Sequence, residues 1–365
     1  VAAPPRTGGV ERPALTGATL EDLAALLAAW GEPRYRAEQV FRALWRDGTR
    51  DPRAMSTLPL ALRERLAAET VPSAATVVEA EESEDGTVKA LLALADGRRV
   101  ESVLIPEGSR ATVCVSTQVG CPLGCVFCAS GVGGVVRDLT TAEIAEQVLV
   151  MRERRKERPS HVVVMGMGEP LLNLANLAAA IRLWTDPRGM AFSPRRITVS
   201  TAGTPSKIDR LAELDLGVQL AISLHAPDDE TRRALVPGSP AGRVKGLVDA
   251  AARYARKTGR DATVEYVLIA GVNDAPEHAD ALASALAGRH LHVNLIPLNP
   301  VAHRPDLEAP SGIASVAFAE RLRERRVSCT LRTRRGDDIA AACGQLALER
   351  SLAGSSPGSA GGRGG

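Results

Sequence analysis

The chain is 365 residues long, 45% apolar and 24% charged, with a formal net charge of +2. That is ordinary for a globular protein with one large domain and a small accessory one, and it does not by itself mark a nucleic-acid binder. No uncharged apolar run reaches the ~18 residues a membrane helix needs, and the Pro-, Gly- and Ala-rich stretch from Val1 to Gly17 lacks a signal-peptide core. The expectation is a cytoplasmic protein with no membrane association.

Residues 18–75 read as a small helical accessory domain. Thr19 precedes Leu20-Glu21-Asp22 as an N-cap with acidic residues in the first turn. Leu20, Leu23, Leu27 and Trp30 recur at helical spacing, as do Val40, Phe41, Leu44 and Trp45, then Leu58, Leu62 and Leu66. Residues 76–110 form a connection in which 88–94 and 98–105, joined at Asp96-Gly97, predict a β-hairpin that carries Glu101. From 111 to 348 the pattern alternates. Apolar strands are predicted at 111–116, 162–166, 196–200, 218–223, 263–269 and 291–296. Helices are predicted at 140–157, 174–184, 205–214, 242–258 and 276–287, and a helix at 311–325 leads to a last strand at 327–332. Repeated βα units imply a parallel sheet with helices outside; six of them make a partial, open (β/α)6 TIM-like barrel of the α/β class. The Gly/Ser-rich tail, 349–365, is expected to be disordered.

Polar residues fall just past the C-terminal ends of these strands: Gly168-Glu169 after the second, Ser200 at the end of the third, Ser223-Leu224-His225 after the fourth, and Asn299 after the sixth. On that rim α/β barrels build their active sites. Basic residues cluster at 151–158, 321–326 and 332–335, either as solvated faces or, if the protein acts on RNA, as phosphate contacts.

Four of the six cysteines, Cys114, Cys121, Cys125 and Cys128, fall within fifteen residues, unlike a disulfide framework. A structural zinc site would need four ligands, with Cys114 as the fourth, and an electron-transfer [4Fe–4S] cluster would likewise use four cysteines. Three thiolates on a four-iron cluster leave one iron open to another ligand. The CxxxCxxC run Cys121, Cys125, Cys128, with Phe127 inside it, resembles the signature of the radical S-adenosylmethionine (SAM) superfamily.

Longer strings resemble one family more closely: Cys114-Val-Ser-Thr-Gln-Val-Gly-Cys121, Val164-Met-Gly-Met-Gly-Glu-Pro-Leu-Leu-Asn173, Ala221-Ile-Ser-Leu-His-Ala-Pro227, Val293-Asn-Leu-Ile-Pro-Leu-Asn-Pro300 and Arg335-Gly-Asp-Asp-Ile-Ala-Ala-Ala-Cys-Gly-Gln-Leu346. It is the RlmN-type dual-specificity ribosomal and transfer RNA adenine-C2 methyltransferase family, and the likeness runs from about residue 18 to 348.

The resemblance implies a radical SAM barrel with a [4Fe–4S] cluster on Cys121, Cys125 and Cys128, and SAM held by Gly168, Glu169, Ser200, Ser223, Leu224, His225 and Asn299. It implies that Cys343 accepts a methyl group from one SAM, that a second SAM yields the radical that activates it, and that Cys114 releases the product through a transient disulfide. Glu101 matches the family's proton acceptor, whereas Cys329 matches no motif and reads as structural. The implied partners are 23S ribosomal RNA, transfer RNA and an electron donor such as flavodoxin or ferredoxin, acting on a monomer. The rival readings are a C8-methylating relative with the same cysteines, another radical SAM reaction, and a non-catalytic RNA-binding protein of the same fold. Two positions depart from the family, Val135 where it often has an aromatic residue and Asp138 where Asn is usual, and Pro237 to Gly242 is looser than its loop.

Overall fold

Thr19 opens helix α1 (Leu20–Ala29) with a capping box: its hydroxyl accepts from the Asp22 amide, and the Asp22 carboxylate accepts from the Thr19 amide. A cap of this kind contributes about 1 kcal/mol. A computed structural model describes residues 12–154, 158–239, 244–333, 335–336 and 338–346, so the predicted disordered tail, Arg155, Lys156 and Asp337 lie outside the described residues. Helix α2 (Arg34–Arg42) runs into a π-turn at Ala43–Asp47, and α3 (Leu60–Glu69) follows. Leu23, Leu27, Phe41, Trp45 and Leu66 are fully buried between them, as their spacing predicts.

Four antiparallel strands come next: β1 (Ala75–Glu82), β2 (Val88–Leu94), β3 (Arg99–Glu107) and β4 (Arg110–Cys114). The predicted hairpin is therefore the middle of a larger meander. Strand β1 escaped prediction because Glu79, Glu81 and Glu82 break its apolar alternation, which an edge strand facing water tolerates. A separate two-stranded ribbon, β5 (Gln118–Gly120) with β6 (Val135–Asp138), brackets the cysteine loop.

Helix α4 (Thr141–Arg152) leads to β7 (His161–Val164), α5 (Leu174–Thr185) to β8 (Ile197–Thr201), and α6 (Pro205–Glu213) to β9 (Gln219–Ser223). Then come α7 (Asp229–Leu235), α8 (Val244–Thr258), β10 (Ala262–Leu268), α9 (Pro276–Leu286), β11 (His292–Pro297), α10 (Gly312–Glu324) and β12 (Cys329–Leu331). From β4 the strands β7, β8, β9, β10, β11 and β12 pair in parallel, in that order. The sheet ends at β1 on one side and β12 on the other, so the barrel is open. Short α7, capped by Asp228, was hidden by its seven-residue length.

Glu146 of α4, fully buried, ties the helical N-terminal region to the barrel. Its carboxylate accepts from Thr16 Oγ1 at 3.0 Å, Ser73 Oγ at 2.5 Å and Arg50 at 2.7 Å, and also from the Ala74 amide. Glu146→Ala leaves Thr16 Oγ1 and the Ala74 amide without this acceptor and Arg50 with Glu153, which is half exposed, as its remaining carboxylate partner. The expected loss is about 3–5 kcal/mol, read as a fall in the denaturation midpoint at an unchanged slope.

Candidate active site

The cysteine loop leaves β5 at Gly120 and returns at Val135, closed at its base by the Cys121 amide donating to Gly134 O at 3.0 Å. Its wall is apolar. Leu123, Ala226, Leu235, Val236, Ile269 and Leu298 are buried around Cys121, and Cys125, Val126 and Phe127 pack against them. Burial pushes the Cys121 thiol up to about 12 and holds Cys125 and Cys128 above the ordinary thiol range; Cys121 and Cys125 each also feel the Cys128 charge. Such thiols are poor free nucleophiles and good ligands, because a bound cation removes the cost of the buried charge. Three thiols in one loop with an apolar wall suit a multi-iron group taking one thiolate per iron.

Glu169, 2% exposed, lies beside this loop, and its charge is felt by Cys121 and Cys125. Its carboxylate accepts from Thr201 Oγ1 at 2.6 Å, the Leu171 amide at 3.0 Å and the Ala202 amide at 3.0 Å. A carboxylate offers about four lone-pair sites, so these bonds aim it while leaving room for an ammonium. Gly168 has φ +110°, and a Cβ there would meet Gln118 and Thr117 at 2.8 Å. Only glycine fits that approach. Gln118 then bridges the two motifs, accepting from the Glu169 amide at 2.8 Å and donating to Asp138 at 2.7 Å. Asp138 thus closes the base of the cysteine loop, and Val135 lies exposed on its outer side.

At the ends of β8 and β9 the hydroxyls of Ser200 and Ser223 meet at 3.2 Å. The Leu224 and His225 amides both donate to Glu265 O, at 3.0 and 3.2 Å, across a left-handed His225 (φ +58°). Burial and the nearby Arg232 charge lower the His225 pKa to about 3, so the ring is neutral. Its Nδ1 accepts from the Val267 amide at 3.1 Å, which leaves the proton on Nε2, and its ring makes a T-shaped contact with Phe127, the centroids 4.8 Å apart. Arg232, 2% exposed, donates to the carbonyls of Ser223, Leu224 and Ala202 and joins the two strand ends.

The segment after β12 fills the open mouth. The Ala129 amide donates to Gly344 O at 2.7 Å, Ser130 Oγ to Leu346 O at 2.7 Å, and Asn299 Nδ2 to Cys343 O at 3.0 Å. Cys343 is reachable by water yet ringed by protein, and that surrounding raises its pKa to about 11. Its charge is felt by Cys114, and it feels those of Cys128 and Glu265. Both Cys114 and Cys343 are free thiols. Cys114 pairs with Val103 across β3–β4, and Glu101 is two residues along from Val103, so side-chain alternation puts Glu101 and Cys114 on one face. Glu101 is 2% exposed. Cys329 lies apart, its thiol donating to Ala319 O at 3.4 Å.

The predicted site residues therefore gather around one rim. Sequence reasoning missed Gln118, Thr201, Arg232 and Glu265. Of these only Gln118 and Thr201 stood near a motif; a buried arginine or glutamate reads as surface until its partners are known. At this rim Asn299 Oδ1, Thr117 Oγ1 and Arg232 Nε are among the buried polar atoms that have no protein partner. Unpaired buried polar atoms are costly, and a polar cosubstrate with amino, carboxylate and hydroxyl groups fits them.

Two family models match the chain: the radical SAM superfamily over residues 115–283, and the ribosomal RNA large subunit methyltransferase N-terminal domain over 14–71. A probable dual-specificity RNA methyltransferase RlmN of Symbiobacterium thermophilum is 46% identical over 338 residues, covering 92% of this chain and 91% of the relative. One of the same description from Thermus thermophilus is 48% identical, covering 86% and 89%. The crystal structure of a radical SAM methyltransferase from Sphaerobacter thermophilus superposes with a TM-score of 0.88 at 44% identity, covering 92% of this chain and 99% of that one.

Proposed function

Since the chain belongs to the RlmN family of dual-specificity RNA methyltransferases, radical SAM enzymes that use a [4Fe–4S] cluster and SAM, we propose that it methylates C2 of adenosine in 23S ribosomal RNA and in transfer RNA near the anticodon. The supporting observation is that Cys343 lies within electrostatic reach of Cys114 and of Cys128 in the three-cysteine loop. A non-catalytic protein of this fold has no use for it.

Cys121, Cys125 and Cys128 hold the cluster in this reading, and SAM lies along Gly168, Glu169, Ser200, Ser223, Leu224, His225 and Asn299. Bound there, the pair supplies a methyl group and the one-electron chemistry that reaches a carbon too poorly nucleophilic for polar methylation. Cys343 accepts the methyl group and presents it to adenine, its backbone held by Asn299. Glu101 takes the proton that leaves C2. The Cys114 thiol, giving up its proton, attacks the Cys343 sulfur and forms an S–S bond; the electron pair of the broken sulfur–carbon bond stays with the transferred carbon, which takes up a proton to become the methyl group. Burial holds Cys114 at a pKa of about 12, so the thiol stays protonated until the reacting complex assembles.

Nucleosides from ribosomal and transfer RNA of cells with and without the gene, resolved by mass spectrometry, test the reading. The expected product is 2-methyladenosine in both RNAs, absent without the gene. 8-Methyladenosine as the main product would overturn it in favour of the C8-methylating relative.

A further inference from the structure

Lys89 is a lysine buried to 4% exposure on β2, in a stretch whose neighbours Ala90, Leu91 and Leu92 are apolar. Burying an ammonium is expensive unless every proton is used. Lys89 Nζ pairs with Glu81 on β1 at 2.9 Å and donates to the carbonyl of Ile339, four residues before Cys343. Register gives this contact its meaning. Glu81 is opposite Lys89, Lys89 opposite Val103, and Val103 opposite Cys114, so one cross-strand row on one face runs from the ion pair to the thiol. The next row on that face carries Leu91 and Glu101.

We propose that Lys89 is a positioning residue for the methyl-transfer chemistry: its ammonium, fixed by Glu81, clamps the Cys343 loop over the sheet row that ends in Cys114, and so sets the distance between the two thiols. Two further tethers act alongside it. Ser83 Oγ donates to Asp338 at 2.6 Å, and the Gly336 amide donates to Asp85 at 3.2 Å. All three come from β1, β2 and the turn between them. The antiparallel extension therefore completes the site from outside the parallel barrel. Lys89 touches no reacting atom.

The inference rests on Cys343 as the thiol that carries the methyl group, but its test reads the loop itself. In the cluster-loaded full chain under anaerobic conditions, amide exchange over 338–342 is compared among wild type, Lys89→Met, Lys89→Arg and Ser83→Ala. Lys89→Met keeps the bulk and loses the charge. It should exchange about tenfold faster or more there, as loss of one hydrogen bond from a charged donor predicts, while the α10–β12 peptides keep wild-type protection. Alkylation of the unmethylated Cys343 should rise in step. Lys89→Arg should restore both, and Ser83→Ala should move exchange less than Lys89→Met does. Wild-type exchange and alkylation in Lys89→Met would overturn the proposal, as would Ser83→Ala having the larger effect. Both readouts stand whichever adenine carbon is methylated, and even if none is.

Discussion

Cys125→Ala is expected to yield a colourless protein that neither holds four irons nor cleaves SAM reductively. The loop offers three thiols in an apolar cup whose wall includes Leu235, Val236 and Ile269, and no side chain there can replace a lost sulfur. Cys114 is committed to the sheet face opposite Val103, and Cys343 is held by the bond from Asn299 to its carbonyl and by the bond from the Ala129 amide to the carbonyl of its neighbour Gly344. The fold should survive, because the loop is pinned by backbone contacts: the Val126 amide to Leu235 O at 3.0 Å and the Gly238 amide to Leu123 O at 2.8 Å. Iron analysis, visible absorption and 5′-deoxyadenosine yield report the outcome. A brown, iron-loaded Cys125→Ala protein that still makes 5′-deoxyadenosine would sink the cluster assignment.

Cys114→Ala should arrest the enzyme joined to its RNA. If the carbon added to adenine arrives on Cys343, the protein and the base are linked through sulfur and carbon until another thiol attacks that sulfur. Cys114 is the candidate because it lies within electrostatic reach of Cys343. Cys329 is not, since its thiol packs against Ala319 beneath α10. Protein purified from cells under denaturing conditions should therefore carry RNA that ribonuclease removes down to a fixed residue on the Cys343 peptide. Cys343→Ala and the Cys114→Ala/Cys343→Ala pair should carry none. Normal turnover by Cys114→Ala without an adduct would refute the two-cysteine route and leave family membership untouched.

What could be read from the sequence followed from local physics. Thr19 announces a helix start because an N-cap with acidic residues in the first turn is written in a few consecutive residues. The parallel strands announce themselves because short apolar runs supply their buried alternate positions, as in Val162 and Val164 or Ile197 and Val199. The cysteine loop is contiguous and so legible as a unit. What stayed hidden depends on partners far along the chain. Lys89 looks like a solvent-facing break in a strand until Ile339 is placed above it. Arg232 looks like the exposed side of a short helix until its guanidinium is seen joining β8 to β9. The Glu169 motif was visible, but not that Thr201 and Ala202 aim its carboxylate.

The tethers of the Cys343 loop also bear on how the molecule is assembled. Ser83 and Asp338 are 255 positions apart, and Lys89 and Ile339 are 250 apart. Chain-closure entropy grows with the logarithm of length, so joining such ends directly costs about 2–3 kcal/mol more than closing a ten-residue hairpin. Contacts of that span gain from the intervening βα units having already drawn their ends together. The loop is therefore expected to be installed last, onto a barrel that exists before it, so that a chain halted short of that moment would have its cysteine loop in place with no Cys343 beside it.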